Sequence, residues 1–160
     1  MALHEAVKAG DLDKVRALLE KKWWKFGPDV NERDKWGCTA LHYVTESGKV
    51  ELAQLLLDRG ADVNALNRFC QTPLHNAARE GHVELVRLLL DRGADINARE
   101  NNNPTPIHWA AREGHTPVVQ LLLERGCELH HQDKDGLTPL AAALQAERHQ
   151  IAELLKEKGG

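Results

Sequence analysis

The chain has 160 residues, a length that suits one domain with a sizeable core. Its 21 basic and 24 acidic side chains are interspersed and leave a formal charge of -3, which argues against the cationic stripe of a nucleic-acid binder. No apolar run nears the roughly 18 residues of a membrane span, and neither the start Met1-Ala2-Leu3-His4-Glu5 nor the odd set Cys38, Cys70 and Cys127 suggests secretion, so a reducing, cytoplasmic setting is expected.

In chain order, Leu3-His4 opens a first helix, and a Trp- and Lys-rich stretch around Lys21-Lys22-Trp23-Trp24-Lys25-Phe26 follows the second. Thr39-Ala40-Leu41-His42 then begins a pattern that returns as Thr72-Pro73-Leu74-His75, Thr105-Pro106-Ile107-His108 and Thr138-Pro139-Leu140-Ala141, each step being 33 residues. Threonine caps a helix amino end, and proline suits the first helical position, where no N–H is needed. Gly48, Gly81 and Gly114 close these short helices as left-handed carboxyl caps. A second apolar helix follows, as in Val83-Glu84-Leu85-Val86-Arg87-Leu88-Leu89-Leu90, and Gly60-Ala61-Asp62-Val63-Asn64-Ala65 and Gly93-Ala94-Asp95-Ile96-Asn97-Ala98 lead into the next turn. One such unit cannot bury its apolar face alone, so neighbours must stack.

These motifs closely resemble the ankyrin-repeat family over nearly the whole chain. The resemblance implies an all-α solenoid of five stacked helix-turn-helix units joined by β-hairpin loops. The units are read as 1–33, 34–66, 67–99, 100–132 and 133–160, forming a single domain over 1–160. Lys14 in place of Leu52 and Leu85, and Lys156 in place of Leu57, Leu90 and Leu123, mark polar capping units. Three departures stand out. Leu3 to Leu41 spans 38 positions instead of 33, so unit one carries an insertion. The turn glycine of Gly37 and Gly136 becomes Cys70 and Asn103, and cysteine in a left-handed turn costs on the order of 1 kcal/mol. Glu147 replaces the helix-closing glycine, so the last cap is expected to be imperfect.

The four Trp, one Tyr and two Phe all fall where the repeat does not need them for its core. Trp36 and Phe69 occupy equivalent turn tips, followed by Asn102 and Asp135; Tyr43 and Trp109 share a first-helix position with Asn76 and Ala142. In ankyrin proteins the tips and first helices line a concave face that grips partners. The resemblance therefore implies a protein-binding surface of Lys35, Trp36, Cys38, Tyr43, Glu46, Arg68, Phe69, Gln71, Asn76, Arg79, Asn102, Trp109 and Arg112. Aromatic rings and arginine dominate interface energetics, and exposed rings clustered on one face invite a partner. Trp23, Trp24 and Phe26 suit two roles equally, a lid over the open end of the stack or a secondary contact. The chain is expected to be a monomer alone and a heteromer with its partner.

The chemistry-bearing side chains have structural readings. By the resemblance, His42, His75 and His108 bond the cap threonines and the adjacent turn backbone, and His82 and His115 are framework residues too. Cys127, His130, His131 and Asp133 lack the second paired group of a zinc site, so no metal or cofactor is expected. No phosphate loop or nucleophile elbow occurs, and the only serine is Ser47; an enzyme is not expected. The resemblance also makes Asn64 and Asn97 match asparagines that animal cells hydroxylate. A protein-binding module of engineered origin fits the near-duplicate units and confined aromatics, whereas the free cysteines and Asn101-Asn102-Asn103-Pro104 fit a natural adaptor. A structural spacer that self-associates through its rings is the remaining alternative.

Overall fold

A computed structural model describes residues 2–20 and 29–159. The described residues form helices in five pairs: α1 (Ala2–Ala9) with α2 (Leu12–Glu20), α3 (Ala40–Ser47) with α4 (Val50–Asp58), α5 (Pro73–Glu80) with α6 (Val83–Asp91), α7 (Pro106–Glu113) with α8 (Thr116–Glu124), and α9 (Pro139–Gln145) with α10 (His149–Glu157). First helices pack on first helices and second helices on second helices along the row. The result is the expected all-α repeat solenoid. None of the described helices is long and apolar enough to cross a membrane.

The short first helices are set by their caps. Thr39, Thr72, Thr105 and Thr138 have extended backbone at the amino end, and Pro73, Pro106 and Pro139 occupy the first turn. Gly48, Gly81 and Gly114 end α3, α5 and α7 in the left-handed region. The core is built from the equivalent, fully buried Leu3, Leu41, Leu74 and Ile107 on first helices and Leu56, Leu89, Leu122 and Leu155 on second helices. Small Ala77, Ala110 and Ala143 let the first helices lie side by side. Leu144, the counterpart of buried Thr45, Ala78 and Ala111, is 46% exposed on the open side of the last pair.

The histidine row joins the pairs. Thr39 N donates to His42 Nδ1 at 3.1 Å, and the ring's Nε2 lies 3.0 Å from Gln71 O of the next unit. Because the backbone N–H can only donate, Nδ1 is the acceptor and Nε2–H the donor. His75 repeats the arrangement with Thr72 and Pro104 O, and His108 with Thr105 and Leu137 O. A second row runs on the other side: His82 and His115 bond Glu46 O and Arg79 O at 3.2 and 2.8 Å, and Arg148 Nε donates to Arg112 O at 3.1 Å.

The departures read from the sequence have visible geometry. Cys70 and Asn103 hold the left-handed turn position at φ 58° and 69°. Asn103 also donates its amide to Gln132 O at 2.9 Å. Glu147, where the other units have glycine, sits at φ 58°. Glu147→Gly is therefore expected to stabilise the chain by about 1 kcal/mol by removing the Cβ penalty, read as a higher urea midpoint. A lower midpoint would mean that the glutamate side chain outweighs its own strain.

The connecting loops, expected as β-hairpins, are turns with no strand among the described residues. Each loop closes on itself through two main-chain bonds, such as Asn67 N to Gln71 O and Cys70 N to Asn67 O, both at 3.0 Å. Each touches the next loop through another: Arg68 N to Trp36 O, Asn101 N to Phe69 O and Lys134 N to Asn102 O, at 3.0, 3.0 and 2.9 Å. One main-chain bond per step from loop to loop makes a row of turns rather than a ladder.

Candidate functional site

The turns stand on a polar row with the repeat's period: Asp34, Asn67, Glu100 and Asp133. In three units the short side chain folds under the turn. Asp34 Oδ1 accepts from Trp36 N and Cys38 N, each at 2.9 Å. Asn67 Oδ1 accepts from Phe69 N and Gln71 N, and Asp133 Oδ1 from Asp135 N and Leu137 N. These bonds fix the tips and leave the residues at their apex outside. Trp36 and Phe69 are accordingly 50% and 52% exposed. The tip-to-tip bond from Arg68 N to Trp36 O makes them neighbours.

Tyr43 and Trp109 differ from the tip rings in being half-buried with their polar ends committed. The Tyr43 hydroxyl donates to Asp34 Oδ2, and Trp109 Nε1 donates to Glu100 Oε1 at 3.1 Å. Tyr43 also packs against the hydrophobic core, so it serves the framework as well as the surface. Burial and the neighbouring Asp34 carboxylate push the Tyr43 phenol well above its usual range. At Asp34 burial acts to raise the pKa, but the hydrogen bonds from Tyr43, Trp36 and Cys38 outweigh it and hold the carboxyl low. Cations lie over the rings: Lys8 over Tyr43 at 4.1 Å, Lys35 over Trp36 at 5.4 Å, and Arg112 and Arg79 over Trp109 at 5.3 and 6.0 Å.

The remaining residues expected at the surface divide into two groups. Lys35, Glu46, Arg68 and Asn102 are exposed, and Arg79 and Arg112 are half-exposed while paired with Glu80 at 3.0 Å and Asp133 at 3.5 Å. Cys38 and Gln71 are half-buried; burial raises the Cys38 thiol, and Gln71 Oε1 accepts from Asn67 Nδ2 at 3.1 Å. Asn76 departs from the expectation: it is only 6% exposed, and its amide donates to His42 O at 3.2 Å across the unit boundary. It serves the stack. Trp23, Trp24 and Phe26 lie outside the described residues.

Asp34 and Glu100 were not among the residues singled out from sequence, although each anchors a ring nine positions later. The available signal was their shared period with Asn67 and Asp133. The chemistry-bearing cluster near residue 130 does not converge. His131 Nε2 bonds Asn103 O at 3.0 Å, and Cys127 packs on the core with burial pushing its thiol up to about 11. Among the described residues no three His, Cys, Asp or Glu side chains are placed to hold a metal ion. Asn64 spends its amide on Gly93 O at 3.1 Å and its carbonyl on Asp95 N at 2.8 Å.

Comparison with known proteins agrees with the repeat architecture. The family described as "Ankyrin repeats (3 copies)" matches residues 3–100 and 98–160. Mouse protein phosphatase 1 regulatory subunit 27 is 41% identical over 60 residues, covering 38% of this chain and 36% of that protein. The mouse 2-5A-dependent ribonuclease is 43% identical over 61 residues, covering 38% of this chain and 8% of that protein. An ADP-ribosylation factor GTPase-activating protein of Arabidopsis thaliana, AGD2, is 42% identical over 59 residues, or 37% and 7% of the two chains. The chain thus spans little more than a third, or less, of the length of these relatives. With motif spacing, helix pairing and family match in agreement along the chain, this protein belongs to the ankyrin-repeat family.

Proposed function

We propose that this chain, as one domain of the five units read from its sequence, is a non-enzymatic protein-interaction module. It binds a protein partner through the face made by the turn tips and first helices. The observation that carries the reading is the pair Trp36 and Phe69, half-exposed on hydrogen-bonded neighbouring tips. Burying such rings against a partner removes a large apolar area from water. Tyr43 and Trp109, held by Asp34 and Glu100, present fixed edges behind them. A fixed ring loses little freedom on binding. Lys35, Arg68, Arg79, Arg112 and Asn102 supply a polar rim. The similarity to a phosphatase regulatory subunit supports a role in which the chain positions another protein. The reading holds for a natural adaptor and for a tailored interface alike.

Trp36→Ala and Phe69→Ala are each expected to weaken partner binding by about 2 kcal/mol, the scale of an interface hot spot, while the urea midpoint stays near wild type. Calorimetry against the partner recovered by pull-down, with unfolding measured in parallel, checks both halves. Wild-type affinity in both variants would move the interface elsewhere. The self-associating spacer gives a different result, dimers in sedimentation of the chain alone that vanish in the same variants.

A further inference from the structure

Glu100 breaks the rule of its row. In the other units the side chain at this position takes N–H groups from its own turn, including that of the residue four positions on. In unit four that residue is Pro104, which has no N–H to give. Glu100 is also one methylene longer than Asp34, Asn67 and Asp133. Its carboxylate turns away from the loop and spends Oε1 on Trp109 Nε1 at 3.1 Å. Oε2 is left buried with no hydrogen-bond partner, in a residue only 8% exposed. Leaving a buried carboxylate oxygen unsatisfied is costly, and native structures seldom do so without a reason.

The same carboxylate contributes to a hollow of about 220 Å³ on the binding face. Phe69 and Trp109 line it, Gln71, Asn101 and Asn102 complete it, and Glu100 is its one charged side chain. This space combines aromatic surface, neutral amides and a single negative charge with an unused acceptor. The two guanidinium groups over Trp109 are paired with other carboxylates: Arg112 is 3.5 Å from Asp133, and Arg79 is 3.0 Å from Glu80. Arg68, beside Phe69, and Lys134, which lines the adjoining hollow with Glu100, are further cations near the tip.

We infer that this hollow is a specificity pocket that takes one basic side chain, arginine or lysine, from the protein partner. The inference rests on the interface reading above and adds the chemistry of one contact. The cation enters over the exposed Phe69 ring, whose face favours positive charge, and bonds the Glu100 carboxylate. Rotation about the terminal torsion of glutamate, which is broad and soft, turns the free oxygen to the incoming donor and shifts Oε1 against Trp109 with it. Trp109 then reports occupancy directly, because its indole N–H sits on the other oxygen.

The test uses the whole chain and does not need the partner. N-acetyl-arginine amide is titrated against the ¹⁵N-labelled protein while the Trp109 indole N–H resonance is followed, assigned by its loss in Trp109→Phe. The uncharged isostere N-acetyl-citrulline amide and the anionic N-acetyl-glutamate amide serve as comparison probes. The arginine probe is expected to shift the Trp109 signal, with the Trp36 indole signal unmoved. The citrulline probe should bind at least about fivefold more weakly, since it lacks the charge-assisted bond. Glu100→Gln keeps an acceptor for Trp109 and should reduce arginine binding to the citrulline level without lowering the urea midpoint. Equal response to the arginine and citrulline probes, preference for the glutamate probe, or undiminished arginine binding by Glu100→Gln would each overturn the inference. The two readings fail separately. A partner that ignores Trp36 and Phe69 sinks the interface, whereas an arginine probe that ignores Glu100 sinks only the pocket.

Discussion

Acidification from pH 7 to pH 4 is expected to remove about 3 kcal/mol of folding stability through His75 alone. Burial lowers the pKa of this ring from 6.5 to about 4, against the smaller opposing effects of its bonds to Pro104 and Ala98. Between those two values the unfolded chain binds a proton that the folded chain refuses, so stability rises with pH across that window. The contribution is fully present above pH 6.5, falls as the pH approaches 4, and changes no further once both states are protonated. The geometry agrees, because Nδ1 accepts from Thr72 N at 3.2 Å, and a proton there would set two donors face to face. Burial lowers the pKa of His42 and His108 as well, and their bonding is the same, so both add in the same direction. Urea unfolding at a series of pH values, for wild type and His75→Gln, isolates the ring's share. Parallel curves for the two proteins would mean that the imidazole titrates without cost to the fold.

Gly81→Ala is expected to cost about 3 kcal/mol, from a left-handed backbone penalty and the loss of a partly buried hydrogen bond. Gly81 has φ +77°, and a Cβ there would lie 2.5 Å from Nδ1 and 2.7 Å from Cε1 of His115. The ring cannot move away freely, because its Nε2 bonds Arg79 O at 2.8 Å and so caps α5 from the next unit. Gly93→Ala is the matched control. It has φ +85° with open space around the added carbon, so only the backbone term of about 1 kcal/mol applies. Equal urea midpoints for the two variants would show that the His115 contact contributes nothing.

Much of this architecture is legible in the sequence because caps are local. Threonine, proline and glycine at fixed offsets state where each short helix starts and stops, and the period states that the pairs stack. The tip aromatics were legible for a related reason, since Trp36 and Phe69 recur at one register position that the core does not use. What escaped was contact between positions whose spacing is neither helical nor equal to the repeat. Tyr43 reaches Asp34 and Trp109 reaches Glu100 across a turn, nine residues back. Asn76 looked like another variable surface residue beside Tyr43 and Trp109. Only the packed neighbour shows it turned inward onto His42 O.

The bonds from His42, His75 and His108 share a property with a wider consequence. Every acceptor on the following unit is a main-chain carbonyl, belonging in turn to Gln71, Pro104 and Leu137. This row of bonds is therefore blind to the identity of the side chain at the acceptor position. A gene segment encoding 33 residues could be copied or excised and the flanking pieces would still fit, while the solvent side drifts toward new binding tasks at no cost to assembly.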